Sequence, residues 1–544
     1  MIFNADGTPQ LAWFNKGRQA QSYRWLPTAF QPWLERNLQL VKAHIAPTSY
    51  FVDVFSAMAP VDFRDRAGRF YPKTVCAERW GAAFDRIRTV LGDNAPMIGE
   101  AGHDALIGHL DAGQADHMGW IPGQWRFAWG MEADDAERVP WHDMASHGAF
   151  VLLAGGLGHR YSGEQHDPTL HGYASDDYLS MTVLGGRNPM CDGPFSRRAV
   201  MTYWLLHDVC VELARREMLS HAFAGDDIHR QIVQFAGDAQ VIANRGRTDW
   251  QVSGQTLPPY GFVAKAGQAT AMVTRRDGVI AGYAQHGHTL LADARPQLAD
   301  QRGAIEPTVV GCEDLGKGRF QLRMQWQVLQ PLPPGYVAFL HFVNEKNAEG
   351  EGIVFQGGTK YDTAQLAAPG TVEGSASATL PADVKLPAAF AVRSGFYHPS
   401  AGGARLRLAG PTDGTGRARC GTVAIDAAGA ITWQAEPPDP ERAERLARLN
   451  TAGKLVDFGL VATTGAFRLR HAPGTEWELT PLPGSESCQV ELRLDRLGVP
   501  AAKVRQVVAQ DLDGHTLAPV APEQDGPVVR WKTDGQAFRY LIRF

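Results

Sequence analysis

At 544 residues the chain has room for two to four domains. Its 44% hydrophobic and 20% charged residues are those of an ordinary globular protein, and 58 acidic against 53 basic residues argue against nucleic acid or an anionic membrane surface as its partner. No apolar run approaches the ~20 residues that span a bilayer, the opening Met1-Ile-Phe-Asn4 shows none of the basic-then-apolar pattern expected of a signal peptide, and six scattered cysteines without a C-x-x-C pair suggest neither a disulfide framework nor a zinc site.

The first periodic segment predicts a helix over 31–46. Pro32 suits its first turn, Leu34, Leu38, Val41 and Ile45 share one face, and Pro47 stops it. "SYFVDVFS" follows at 49–56. Its β-branched and aromatic residues are those of a strand buried on both faces, where Asp53 would cost several kcal/mol unless paired or used. After a charged, aromatic loop, "APVDFRDRAGRFYPKT", comes a second helix over 75–91. Thr74 is its expected N-cap, Gly92 its stop, and Trp80, Phe84, Ile87 and Leu91 its apolar face. "PMIGEAG" then gives a short strand ending at Glu100.

Helix, strand, helix, strand with short connections is the rhythm of a parallel α/β sheet or barrel. It continues through a strand in "ALIGHLDAGQADHM", helix-like "DDAERVPWHDMASHG", the strand "AFVLLAGG" and a long helix, "SRRAVMTYWLLHDVCVELARREML". Near residue 235 the texture changes to short β segments between Gly, Pro and Asp turns. "FQLRMQWQV" alternates strictly as a half-buried strand, and "YVAFLHFV" is expected to pair with it. The division expected is therefore a (β/α) barrel-type domain over 1–237, β-sandwich structure over 238–435, a Pro-rich linker at "AEPPDPERAE", and a β-rich module over 445–544. Only 52 residues precede Asp53, too few for the first strands of a closed barrel. The α/β part is thus a partial barrel whose first strands are absent or supplied elsewhere, or else an open sheet; the partial barrel is the expectation.

Asp53 and Glu100 then lie near the C-terminal ends of consecutive parallel strands, the rim where such folds bind ligands and do chemistry. Two acids on one rim suit glycoside hydrolysis, in which an ionised carboxylate attacks the anomeric carbon and a protonated one serves the leaving oxygen. Ser56 offers a nearby donor, and Gly99, Ala101 and Gly102 around Glu100 leave space for a sugar ring. The competing readings are structural: an ion pair of Asp53 with Arg64 or Arg66, and a helix N-terminal position for Glu100.

The motifs "YFVDVFS" and, some fifty residues on, "IGEAGHD" resemble the catalytic core of retaining glycoside hydrolases related to endo-α-N-acetylgalactosaminidases. The resemblance implies a barrel followed by β-sandwich domains, Asp53 as nucleophile, Glu100 as acid/base, and an α-linked N-acetylgalactosamine- or galactose-type glycan as substrate. It covers roughly residues 1–300, and the chain departs from it in lacking the early barrel strands. A carbohydrate is the partner expected, with no cofactor and no metal.

Further rim residues are candidates for binding sugar: His103 and Asp104 after Glu100; Asp116, His117 and Trp120 in "DAGQADHMGW", beside Asp111; His142 and Asp143 in "VPWHDMASHG"; and Trp13 in the loop "WFNKGRQAQSYRW". Asp176 and Asp177, being neighbours, point different ways, so at most one faces a pocket, with helix capping as the alternative. Glu100 and His103 make a single E-x-x-H spacing, where a di-metal bundle needs the motif twice. Two other classes stay open: a non-catalytic carbohydrate-binding protein descended from such an enzyme, and a metal-dependent hydrolase using the His/Asp cluster.

Overall fold

The computed structural model describes residues 1–92, 94–114, 140–154, 175–190, 196–296, 303–346, 349–410, 412, 415–437, 447–471, 476–483, 487–499 and 504–544. They fall into two units: Met1–Pro296 together with Ala452–Phe544, and Gln297–Thr451. None of the described helices is long and apolar enough to cross a membrane.

The first unit opens with a hairpin, β1 (Leu11–Asn15) and β2 (Ala20–Tyr23), and helix α1 (Gln31–His44). Strand β3 (Tyr50–Val52) leads to a small hairpin of β4 (Phe63–Arg64) and β5 (Phe70–Tyr71), then to α2 (Lys73–Leu91) and β6 (Met97–Gly99). β7 (Ala112–Gln114), α3 (Trp141–Ser146) and β8 (Val151–Leu153) complete the α/β part. Its four strands pair in parallel and in chain order, β3-β6-β7-β8, with Val52 opposite Gly99 and Gly99 opposite Gly113. Leu153 makes a further parallel bridge to Asn188. From β3 through α2 to β6 the chain follows the strand–helix–strand rhythm that the sequence predicts, whereas the described residues between β6 and β7 hold only a 3-10 turn, Asp104–Leu106. Among the described residues the sheet is open, with β3 on its edge.

Leu38, Trp80, Phe84, Ile87, Met97, Leu106, Phe150 and Leu152 form the core between these helices and strands. Helix α1 ends at His44; Ile45, expected on the buried face, follows as the cap residue and is 70% exposed. The first turn of α2 is served by a distant acid, not by Thr74: the Lys73 amide donates to Asp62 Oδ1 at 2.7 Å. Gly92 ends α2 as expected.

The edge position of β3 corrects the prediction of a strand buried on both faces. Only three residues form it and Phe51 is 49% exposed, because burial depends on a neighbour at each edge that composition cannot supply. Trp13, Trp25, Trp33 and Leu40 are exposed as well, so large apolar side chains gather on the surface of the first fifty residues.

Helices α4 (Asp176–Leu184) and α5 (Arg197–Leu213) pack on a long antiparallel sheet. The expected long helix stops short of "REML" because Met218 already begins that sheet. Among the described residues the sheet has twelve strands, running from Met218–Ala224 at one edge to Thr516–Val520 at the other. Its centre joins Thr289–Asp293 to Ala466–His471, residue Leu290 opposite Leu469. The strands after 445 are therefore not a separate module, and 238 is not a boundary. The sheet begins at 218 and is completed from the C-terminal segment, whose remaining strands form a five-stranded sheet sharing its core.

The second unit is a nine-stranded antiparallel sheet around the core of Phe320, Leu322, Met324, Trp326 and Val328, the inward residues of Arg319–Val328. That strand alternates buried and exposed as its sequence predicts. Its partners are Ile305–Gly316 and Gly370–Thr379. "YVAFLHFV" pairs instead with Ile353–Tyr361 and Ala388–His398; both faces of that strand are apolar, a pattern that fixes no partner.

Candidate active site

Asp53 follows the last residue of β3, and Glu100 follows the last residue of β6. Since Val52 and Gly99 are register partners, the two acids leave adjacent strands at one level and one end. The chain turns sharply between Asp53 and Phe55. The Phe55 amide donates to the Asp53 carbonyl at 2.8 Å, and Val54 between them has a φ of 68°. An i→i+2 bond around a positive φ is the rarer, strained form of γ-turn, and a β-branched residue at its centre is an outlier.

This turn aims the Val54 amide between the acids. It lies 2.9 Å from Asp53 Oδ1 and 2.9 Å from Glu100 Oε2. The two carboxylate oxygens are thus no further apart than twice that distance. Asp53 is exposed and Glu100 half-buried.

Close packing fixes the Glu100 strand end. A Cβ on Gly99 would stand 2.5 Å from the Ala101 carbonyl and 2.6 Å from Ser56, and one on Gly102 would stand 2.6 Å from the Phe150 ring. These glycines admit neighbouring chain instead of leaving room for a sugar ring. Ser56, fully buried, donates to the Val52 carbonyl at 3.2 Å and accepts from the Ala101 amide at 3.3 Å, tying the two strand ends together; it does not serve Asp53. Among the described residues no arginine pairs with Asp53: Arg64 donates to the Gly68 carbonyl and lies over Phe70. Nor is Glu100 in a helix first turn, which begins with Asp104.

Beneath the turn, Phe55 stacks on Trp80 at 5.5 Å and 6°, with Phe30 and Trp25 against its other sides. His103 is buried here, its Nε2 3.4 Å from the Phe55 carbonyl and its Nδ1 without a hydrogen-bond partner. Burial holds its pKa below the ordinary histidine value against the opposing pull of the Phe55 carbonyl and Asp104, so the ring favours its neutral form. It props the turn from below and offers no open face to a sugar.

The other predicted binding residues scatter. Asp104 is exposed and accepts from the Ala105 amide. Trp13 stands 60% exposed on the β1–β2 hairpin. Asp116, His117 and Trp120 lie outside the described residues, and so does the side chain of His142 in α3. Asp143 is a buried clamp, bound to Arg187 at 2.6 and 2.9 Å, and is closed to ligands. Asp111 is also structural: its Oδ2 accepts from Arg88 and from the Met97 amide, both at 2.7 Å, joining α2 to the start of β6.

Asp176 and Asp177 are both buried, and neither caps. The Ser175 hydroxyl accepts from the Tyr178 amide, while Asp176 holds Arg295 through two 2.6 Å contacts and Asp177 stands 2.6 Å from Arg245. They fasten α4 to residues just beyond two interior strands of the long sheet, Ala239–Asn244 and Thr289–Asp293. Asp511, Asp513 and His515 come close enough together to hold a cation, but they lie on an exposed turn of that sheet and the sequence reading did not single them out. Sequence reasoning also missed Val54, whose only signal was its place directly after Asp53.

No family model matches the chain, and no curated protein does. Among solved structures it is similar to α-N-acetylgalactosaminidase NagBb from Bifidobacterium bifidum. The ligand-free form is 18% identical over 45% of this chain and 37% of that one, with a TM-score of 0.33. The quadruple mutant is 19% identical over 45% and 36%, and the GalNAc complex 17% identical over 45% and 37%, each with a TM-score of 0.32. The chain spans little more than a third of that protein's length. At TM-scores of 0.32 to 0.33 the likeness carries neither fold, activity nor substrate to this chain.

Proposed function

We propose that this protein is a retaining glycoside hydrolase acting on α-linked N-acetylgalactosamine- or galactose-type glycans, with Asp53 as nucleophile and Glu100 as acid/base on an arc of a (β/α) barrel. The observation that carries the reading is the single amide reached by both acids, each at 2.9 Å, at the ends of neighbouring parallel strands. Twice that distance is an upper bound on the gap between one oxygen of each acid, and it is compatible with the ~5–5.5 Å between the carboxyl groups of retaining pairs. The sugar class rests on the motif resemblance alone.

In the first half-reaction an Asp53 carboxylate oxygen bonds to the anomeric carbon, the glycosidic C–O bond breaks, and the Glu100 proton passes to the departing oxygen. In the second, Glu100 takes a proton from water, the water oxygen bonds to the same carbon, and Asp53 is released. The anomeric configuration is retained.

A panel of aryl α-glycosides tests the proposal, with the product anomer followed by NMR. Release of the α-anomer, lost in Asp53→Asn and Glu100→Gln, is the expected result; undiminished release by both variants defeats it. The exposure of Asp53 on an edge strand favours a second reading, a carbohydrate-binding relative without turnover. Binding by calorimetry that Asp53→Asn leaves unchanged, with no release, would select that one.

A further inference from the structure

We infer that the Val54 backbone amide is a positioning group shared by the two acids, and that the strained turn exists to present it. This deepens the reading above and rests on it. Three observations meet at one residue. The amide lies at equal distance from Asp53 Oδ1 and Glu100 Oε2. The φ of 68° that directs it there is disfavoured for a β-branched side chain. The Phe55-to-Asp53 hydrogen bond locks the turn, and the Phe55 ring is anchored in the Trp80 stack.

A double-displacement cycle gives such an amide a task. At rest the pair holds one negative charge, on Asp53, and one proton, on Glu100. After the first step Asp53 is a neutral ester and the charge resides on Glu100. An amide reached by both carboxylates hydrogen-bonds the charged member in either state without moving. It therefore fixes the spacing of the pair and follows the charge from one acid to the other.

The decisive variant is Val54→α-hydroxyisovaleric acid, which exchanges the amide N–H for an ester oxygen and keeps the side chain. Losing a donor to a carboxylate disfavours its charged form. The acidic limb of the kcat/KM–pH profile is therefore expected to move up by roughly one pH unit, with a fall in kcat/KM on the order of tenfold. Val54→Gly keeps the N–H and tolerates the positive φ, so whatever its kcat/KM its acidic limb should not move with that of the ester variant.

An ester variant whose limb and kcat/KM match wild type overturns the inference, as does a Val54→Gly profile shifted like that of the ester. Should the ester variant fail to fold, a crystal structure of the wild-type protein decides. Val54 N within hydrogen-bond reach of both carboxylates supports the inference, and its absence from either defeats it. Full activity in Asp53→Asn would instead remove the underlying reading and this inference with it; an inactive Asp53→Asn beside an unaffected ester variant removes only the role of Val54.

Discussion

Replacing Gly99 by alanine tests whether the Glu100 strand end is held by packing. The added Cβ would meet the Ala101 carbonyl at 2.5 Å and the Ser56 Cβ and Oγ at 2.6 Å. Comfortable carbon contacts lie at ~3.5–4.0 Å, so each must open by about 1 Å. None of the three is the free end of a flexible side chain: one is backbone, and Ser56 is held at both ends. Overpacking of this kind costs about 1–3 kcal/mol. Because Glu100 lies between Gly99 and Ala101, the adjustment also displaces the acid, and a misplacement of about 1 Å can reduce turnover by roughly 10²-fold. Calorimetric unfolding should show a lower transition temperature for the larger unit, and glycoside release should fall in step. Gly17→Ala is the control, since the nearest heavy atom to its new Cβ is 3.6 Å away. A Gly99→Ala protein as stable and as active as that control would refute the reasoning.

Asp177→Asn should destabilise the same unit by about 3–5 kcal/mol, because Asp177 and Arg245 pair with both side chains at 0% exposure and the buried guanidinium would lose this carboxylate; an unfolding midpoint within error of wild type would contradict this. His103 should make stability fall at low pH. The unfolded side chain takes up a proton near 6.5 while burial holds the folded value lower, so its contribution is intact above 6.5 and is lost as pH falls below it. Denaturation of His103→Gln should accordingly show a shallower loss of stability below pH 6.5 than wild type, and parallel curves would count against the assignment. The thiols of Cys210 and Cys420, each pushed up to about 12 by burial, should resist iodoacetamide at pH 8 in the native protein and react after unfolding, as read by mass spectrometry.

The parts of this molecule written in local sequence were legible. Pro32 and Pro47 bracket α1, Gly92 ends α2, and the two acids stand where strand-end reasoning puts them. What stayed hidden depends on neighbours distant in the chain. The edge position of β3 follows from which strands exist to cover it. The role of Gly99 follows from Ser56 and Ala101, and the fates of Asp143, Asp176 and Asp177 follow from arginines as far away as Arg295. An acid bound for a buried clamp and an acid bound for an open rim have the same side chain, and only the approach of an arginine separates them. Val54 is the reverse case: its backbone departs from what a β-branched residue favours, so propensity points away from the conformation observed.

The long sheet is interrupted in sequence but not in space. Thr289–Asp293 waits for Ala466–His471, and the whole of Gln297–Thr451 is synthesised in between. At ~5–20 residues per second, ribosomal delay leaves that strand's hydrogen-bonding edge without its mate for on the order of 10 to 30 seconds. Leu290, Leu291 and Ala292, buried in the finished protein, are on that nascent edge meanwhile. Chaperone demand during translation should therefore peak in this interval, and truncation anywhere within it should yield an aggregating product.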